Sequence, residues 1–163
     1  EITWVDWALT EKNADFLAFV KKLIAFAREQ KIGRTKKFFR GCRREDDGMV
    51  CDITWHGLDL SEPLWNDAAT RTIGIQLFPE EGSGFRRLFF ILNADEQAKN
   101  VAVPKLEEGL CWYVVLDTSR EDGSDFLPPG SRECTGRRST FLAEARSTIV
   151  LIAEPGRFCT AQK

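Results

Sequence analysis

The sequence is poor in the residues from which most metal and covalent-catalysis sites are built: one His, one Met and one Tyr in 163 residues. His56 stands alone, and five cysteines (Cys42, Cys51, Cys111, Cys134, Cys159) form no C-x-x-C pair, so a structural zinc site lacks its ligand set. The odd cysteine count argues equally against a disulfide framework. Each cysteine reads as a small apolar filler, and a reducing cytoplasm is the natural setting. No apolar run approaches the ~20 residues that span a bilayer, and no signal peptide opens the chain. Gly82-Ser83-Gly84 lacks a following Lys and opens a strand-like run, not a helix, which excludes a phosphate loop. A net charge of -2 gives no global pull toward nucleic acid or an anionic membrane. No metal, cofactor, nucleic-acid or membrane partner is expected.

What is present suits a core-forming chain. Hydrophobic residues make up 43% and charged residues 29%, ordinary values for a globular domain. The length fits one domain, or one with an attached element. Glu1 rather than Met opens the chain and patterned sequence follows at once, which points to a piece of a longer protein. Residues 13–30 carry the clearest helical signal. Phe16, Phe19, Val20, Leu23, Ile24 and Ala27 recur at helical spacing. Asn13 is placed to cap the start, Asp15 favours the positive end, and Gly33 stops the pattern. Leu17 and Phe26 widen the stripe beyond what a lone surface helix needs, so the helix should dock against something large.

After Gly33 the period changes to that of strands. The segments 51–55, 70–78, 87–93, 99–103, 111–116 and 147–153 are short runs rich in Val, Ile, Phe, Trp and Leu, bounded by turn residues. Residues 140–142 offer a seventh. In 70–78, Ile73, Ile75 and Leu77 take one face, with Thr72, Gly74 and Gln76 on the other. The linkers 80–84 and 94–97 are short enough for hairpins. No helical segment separates the strands, so an antiparallel β-sandwich preceded by one amphipathic α-helix is expected. The polar stretch 119–136, with Pro128-Pro129, reads as a long loop or loose meander arm.

Several blocks in register carry a resemblance: Glu1–Trp7, the stretch from Asp15 to Ile24, Phe38-Phe-Arg-Gly, Asp52-Ile-Thr-Trp-His-Gly, Trp65-Asn-Asp-Ala-Ala-Thr-Arg-Thr-Ile-Gly and Leu116-Asp-Thr. Together they resemble the C-terminal region of isoamylase-type glycogen debranching enzymes of the α-amylase superfamily. The likeness covers nearly the whole chain and weakens after about Asp122. It implies an enzyme with an N-terminal β-domain, a catalytic (β/α)8 barrel and a C-terminal antiparallel sandwich. Residues 1–33 would then be the end of the barrel, a loop plus its last helix, and residues 34–163 the sandwich. The wide apolar face of the helix would lean on the barrel. Retaining glycosidases need two carboxyl groups about 5–5.5 Å apart. In this family they lie on barrel strands, and none of the motifs carrying them occurs here. The resemblance therefore implies a non-catalytic accessory region acting with the barrel of the same polypeptide on branched α-glucan, without a cofactor.

Carboxylates are nevertheless abundant. The pairs within 45–47, 80–81, 107–108 and 121–122 sit in turn-like surroundings and read as solvated loop charges. Asp67 is expected to fix a turn through its side chain. Seven cations (Lys31, Arg34, Lys36, Lys37, Arg40, Arg43, Arg44) crowd 14 residues with Phe38 and Phe39 among them. Basic residues with aromatics can mark nucleic-acid binding. A solvated connector with the Phe pair plugged into the core fits the overall charge better. Sugar rings present apolar C–H faces that stack on tryptophan. Trp4 and Trp7, flanking Asp6, would lie on the active-site side of the barrel and are the candidate substrate contacts. Trp55 and Trp112, in strand-like runs, are expected in the core, and Trp65 beside a proline is undecided. A second possibility, an independent carbohydrate-binding sandwich, rests on the same tryptophans.

Overall fold

A computed structural model describes residues 4, 6–32, 38–45, 48–79, 86–120, 123–132, 134–135 and 138–156. A short helix α1 (Leu9–Lys12) leads into α2 (Ala14–Glu29). Nine strands follow: β1 (Cys42–Glu45), β2 (Gly48–Cys51), β3 (Ile53–His56), β4 (Thr72–Leu77), β5 (Leu88–Asn93), β6 (Lys99–Ala102), β7 (Leu110–Asp117), β8 (Thr140–Ala143) and β9 (Ser147–Pro155). Their pairings are antiparallel throughout, in a five-stranded sheet of order β3-β4-β5-β9-β7 and two two-stranded sheets, β1-β2 and β6-β8. The mainly β, antiparallel class with a leading helix is thus as the sequence indicates.

Side-chain alternation gives the five-stranded sheet two apolar faces, and each has its own cover. On one, Phe89, Ile91, Trp112, Val114, Ile149 and Leu151 pack beneath Val101 of β6 and Ala143 of β8, so two sheet layers enclose a sandwich core. Gly74 is required there: a Cβ would stand 2.8 Å from the Phe89 ring. The buried amide of Asn93 ties the layers together. Its Oδ1 accepts the Thr72 hydroxyl at 2.8 Å, while Nδ2 donates to the carbonyls of Ala143 (3.1 Å) and Glu144 (2.8 Å). Such a buried amide is favourable only because it is fully bonded. On the other face, Leu77, Leu88, Tyr113, Val115 and Ile152 meet Phe26 of α2.

The alternation in β4 is as the sequence indicates, with Thr72, Gly74 and Gln76 buried on one face and Ile73 and Ile75 half-buried on the other. Three expectations need correction. The linker 94–97 does not close a hairpin, because β5 pairs with β9 and β6 crosses to pair with β8. The run 51–55 is broken at Asp52, whose buried carboxylate accepts backbone N–H groups from Arg40 (2.9 Å) and Gly41 (2.9 Å). That capture fixes the base of the β1-β2 hairpin. Finally, Cys42 and Cys51 are directly opposed in that hairpin and joined by a disulfide. Neither is an apolar filler, although Cys111 is buried in the core as expected.

The long stretch after β7 is an arm that shields the sheet edge. Phe126 and Cys134 bridge Leu116 and Tyr113, and Leu127 donates its N–H to Val115. Arg132 anchors the arm to β9 by donating to Glu154 at 2.7 Å.

Candidate functional site

The candidate substrate contacts Trp4, Asp6 and Trp7 lie in the segment that precedes α1. Trp4 is 84% and Trp7 75% exposed. The Asp6 carboxylate accepts the Ala8 N–H at 3.0 Å, and the Trp7 carbonyl accepts the Thr10 hydroxyl at 2.6 Å. Asp6 therefore serves the start of the helix, and both indoles are exposed to solvent.

Three acidic side chains of the loops, Asp59, Asp95 and Glu107, are stabilised as carboxylates. Ser61 donates from its hydroxyl and its backbone to Asp59, which lowers the acid's pKa. The N–H of Gln97, then Lys99, does the same for Asp95. Glu107 is depressed below its ordinary range by two parallel hydrogen bonds from Arg87, each 2.9 Å. A glycosidic proton donor needs the opposite shift, toward neutral pH. Asp67 fixes its turn as expected, its side chain accepting the Ala69 N–H at 2.8 Å. Asp46, Asp47, Glu80, Glu81, Glu121 and Asp122 lie outside the described residues.

His56 sits between the Thr54 hydroxyl (2.8 Å to Nε2) and the Leu60 carbonyl (3.4 Å to Nδ1), with its ring against Phe89. A carbonyl only accepts, so the Nδ1 contact places a proton on that nitrogen, and the Thr54 hydroxyl can serve Nε2 as donor or acceptor. The pairing makes His56 a structural link between β3 and the following loop. Among the described residues, no group of three or more His, Cys, Asp or Glu side chains is arranged to hold a metal ion.

Of the basic stretch, Arg34, Lys36 and Lys37 lie outside the described residues. The Phe pair does not plug the core: Phe38 is almost fully exposed, and Phe39 is also exposed. Arg43 pairs instead with Glu45 and Asp52 within the hairpin.

An exposed apolar surface among the described residues belongs to α2. At ~100° per residue, Phe26, Phe19, Leu23, Phe16, Ile24 and Leu17 span about half the helix circumference. Only one edge of that arc is docked. Phe19 and Phe26 tilt against Phe126, with ring centroids 5.7 and 6.3 Å away. Lys22 reinforces this edge by donating to the Gly123 carbonyl (2.8 Å) and Asp125 (3.1 Å). Phe16, Leu17, Leu23 and Ile24 face solvent. On the same side of the sheet, Ile73, Ile75, Phe90 and Leu92 are only half-covered. Sequence spacing marked the stripe, but not which edge of it the chain would cover for itself.

Comparison with known proteins agrees with this architecture. Residues 52–152 match the family described as isoamylase, C-terminal. The chain is 28% identical over 163 aligned positions to a glycogen operon protein GlgX homolog of Mycobacterium tuberculosis, covering 93% of this chain and 22% of that protein. It is 25% identical over 159 positions to an isoamylase of Flavobacterium sp, covering 93% of this chain and 20% of the relative. A shorter match, 33% over 73 positions, reaches isoamylase 2, chloroplastic, of Oryza sativa subsp. japonica. The chain thus spans about a fifth of the length of the first two relatives. With more than half of its residues inside the matched span and an antiparallel β-fold to carry them, the chain belongs to the isoamylase C-terminal domain family.

Proposed function

We propose that this chain is the C-terminal accessory domain of a glycogen debranching enzyme that hydrolyses α-1,6-glucosidic branch linkages in glycogen or limit dextrin. The catalytic carboxylates belong to a barrel elsewhere in the same polypeptide, and this region stabilises that barrel without performing the chemistry. Residues 1–33 are the end of the barrel and residues 34–163 the sandwich domain. Trp4, Asp6 and Trp7 contribute to one wall of the site for branched α-glucan. The enzyme works in the cytoplasm, where reducing thiol pools would act on the Cys42–Cys51 bond.

One observation carries the assignment: the open apolar edge of α2 in a chain that covers only 22% of a glycogen-operon relative. Phe16, Leu17, Leu23 and Ile24 present contiguous apolar surface of the kind that marks an interface rather than a solvated face. A barrel built from the remaining sequence is the occupant such a face needs. The test is hydrolysis of a branched limit dextrin. The purified chain is expected to release no reducing ends, while a polypeptide extended through the barrel debranches the substrate. Turnover by the chain alone would contradict the accessory role.

A further inference from the structure

The three tryptophans of the β-region differ in a way the accessory role does not explain. Trp112 is 4% exposed, and its indole N–H is spent on the Pro104 carbonyl at 2.7 Å. Trp55 and Trp65 are 42% and 56% exposed, and neither indole N–H donates to a described residue. They come from different elements, the edge strand β3 and the loop that follows it, yet their rings meet edge to face at 5.6 Å with an interplanar angle of 74°. Two indoles at this angle form the walls of an open corner.

The loop that presents Trp65 is pre-organised. Pro63 is buried beneath it. Successive bonds tie Trp65 to Pro63, Asp67 to Leu64 and Thr70 to Asp67 through backbone N–H groups, and the Thr70 hydroxyl reaches the Leu64 carbonyl at 3.2 Å. Ala69 fixes one oxygen of the Asp67 carboxylate. A surface cavity of about 420 Å³ lies along this loop, lined by Glu62, Pro63, Leu64, Trp65, Asn66 and Asp67. That volume falls within the ~300–1,000 Å³ typical of small-molecule sites. Its wall combines an aromatic ring with the side chains of Glu62 and Asn66, neither of which bonds another described residue.

We propose that Trp55, Trp65 and the 62–67 loop form a surface binding site for a linear α-glucan oligosaccharide. The chemistry matches on three counts. Pyranose C–H faces stack on indole rings. Free indole N–H groups and the Asn66 amide donate to sugar hydroxyls, while Glu62 and the second oxygen of Asp67 accept from them. A rigid loop limits the ordering cost of binding. The choice of α-glucan, rather than another sugar, rests on the function proposed above.

The test is titration of maltoheptaose against the 163-residue chain, following tryptophan fluorescence and the indole N–H resonances. Saturable binding near millimolar is expected, with shifts at Trp55 and Trp65 and none at Trp112. Affinity should fall at least tenfold in Trp65→Ala and persist in Phe38→Ala, which removes an exposed aromatic ring elsewhere on the domain. The Trp112 resonance reports that each variant is folded. Absence of saturation by ~10 mM sugar, or unchanged binding in Trp65→Ala, would overturn the site. Equal affinity for cellohexaose would overturn its α-glucan specificity. A Trp65→Ala change that destabilises the extended enzyme without weakening sugar binding would identify the pair as a domain contact and overturn the proposal. Debranching by the extended enzyme, scored separately, distinguishes failure of this site from failure of the enzymatic assignment.

Discussion

The two faces of the five-stranded sheet are built from similar residues but finished differently. The face under β6 and β8 is sealed: Phe89, Ile91, Val101, Ala143 and Leu151 have no measurable exposure. Within that layer the Asn93 amide and the Trp112 indole N–H are both hydrogen-bonded. The helix side is partial. Phe26 reaches the core, while neighbouring apolar positions on the helix and sheet stay open. The sealed face explains how the domain holds together; the open one shows where the described residues stop supplying cover. On the proposed function, stability and association are divided between opposite sides of one sheet.

The largest effect should come from breaking the sealed side. Phe89→Ala removes a ring that touches Gly74, His56 and Trp112, with loss of about 3–5 kcal/mol expected for such a core truncation. Urea unfolding monitored at Trp112 should show a single, strongly shifted transition. Phe26→Ala tests the other side and should act more locally. Helix α2 is held by one edge, so it can detach before the full cavity cost reaches the sheet. Hydrogen exchange should accelerate across Ala14–Glu29, while the amides of β5 and β9 keep their protection. Phe16→Ala, on the open edge, should leave both unchanged in this chain.

The smallest effect sharpens the comparison by touching neither face. Arg87 holds Glu107 below its ordinary pKa of 4.5, so the pair stabilises the fold above that value. Its contribution is lost as pH falls through the lowered folded-state pKa. Glu107 is largely exposed, and solvent screening limits the pair to roughly 0.2–1 kcal/mol. Glu107→Gln should therefore lower stability slightly at neutral pH and remove this part of the acid-side decline. Thermal unfolding between neutral and acidic pH measures both.

Much of this division was legible in the sequence, and its gaps have physical causes. The spacing of Phe16, Phe19, Leu23 and Ile24 marked the helix, and β-branched runs marked most strands. The β1-β2 hairpin escaped notice because Arg43, Arg44 and Glu45 carry no apolar alternation; its cross-link depends on register, not composition. The pairing of β6 with β8 is likewise non-local and leaves no trace in linker length. Trp55 looked like a core residue because a strand-like run says nothing about whether the strand ends at a sheet edge. The Asp67 turn followed from local chemistry, where an Asx side chain two residues before an N–H captures it; Asp59 and Asp117 make the same capture without having been singled out.

On the proposed function, the open edge of α2 is the seat of the rest of the enzyme. Hydroxyl-radical footprinting, applied to this chain alone and to the polypeptide extended through the barrel, reads it most directly. Phe16, Leu17, Leu23 and Ile24 should be labelled in the chain and shielded in the extended enzyme, with Phe89 dark in both. Equal labelling of those four helix residues in the two forms would contradict it.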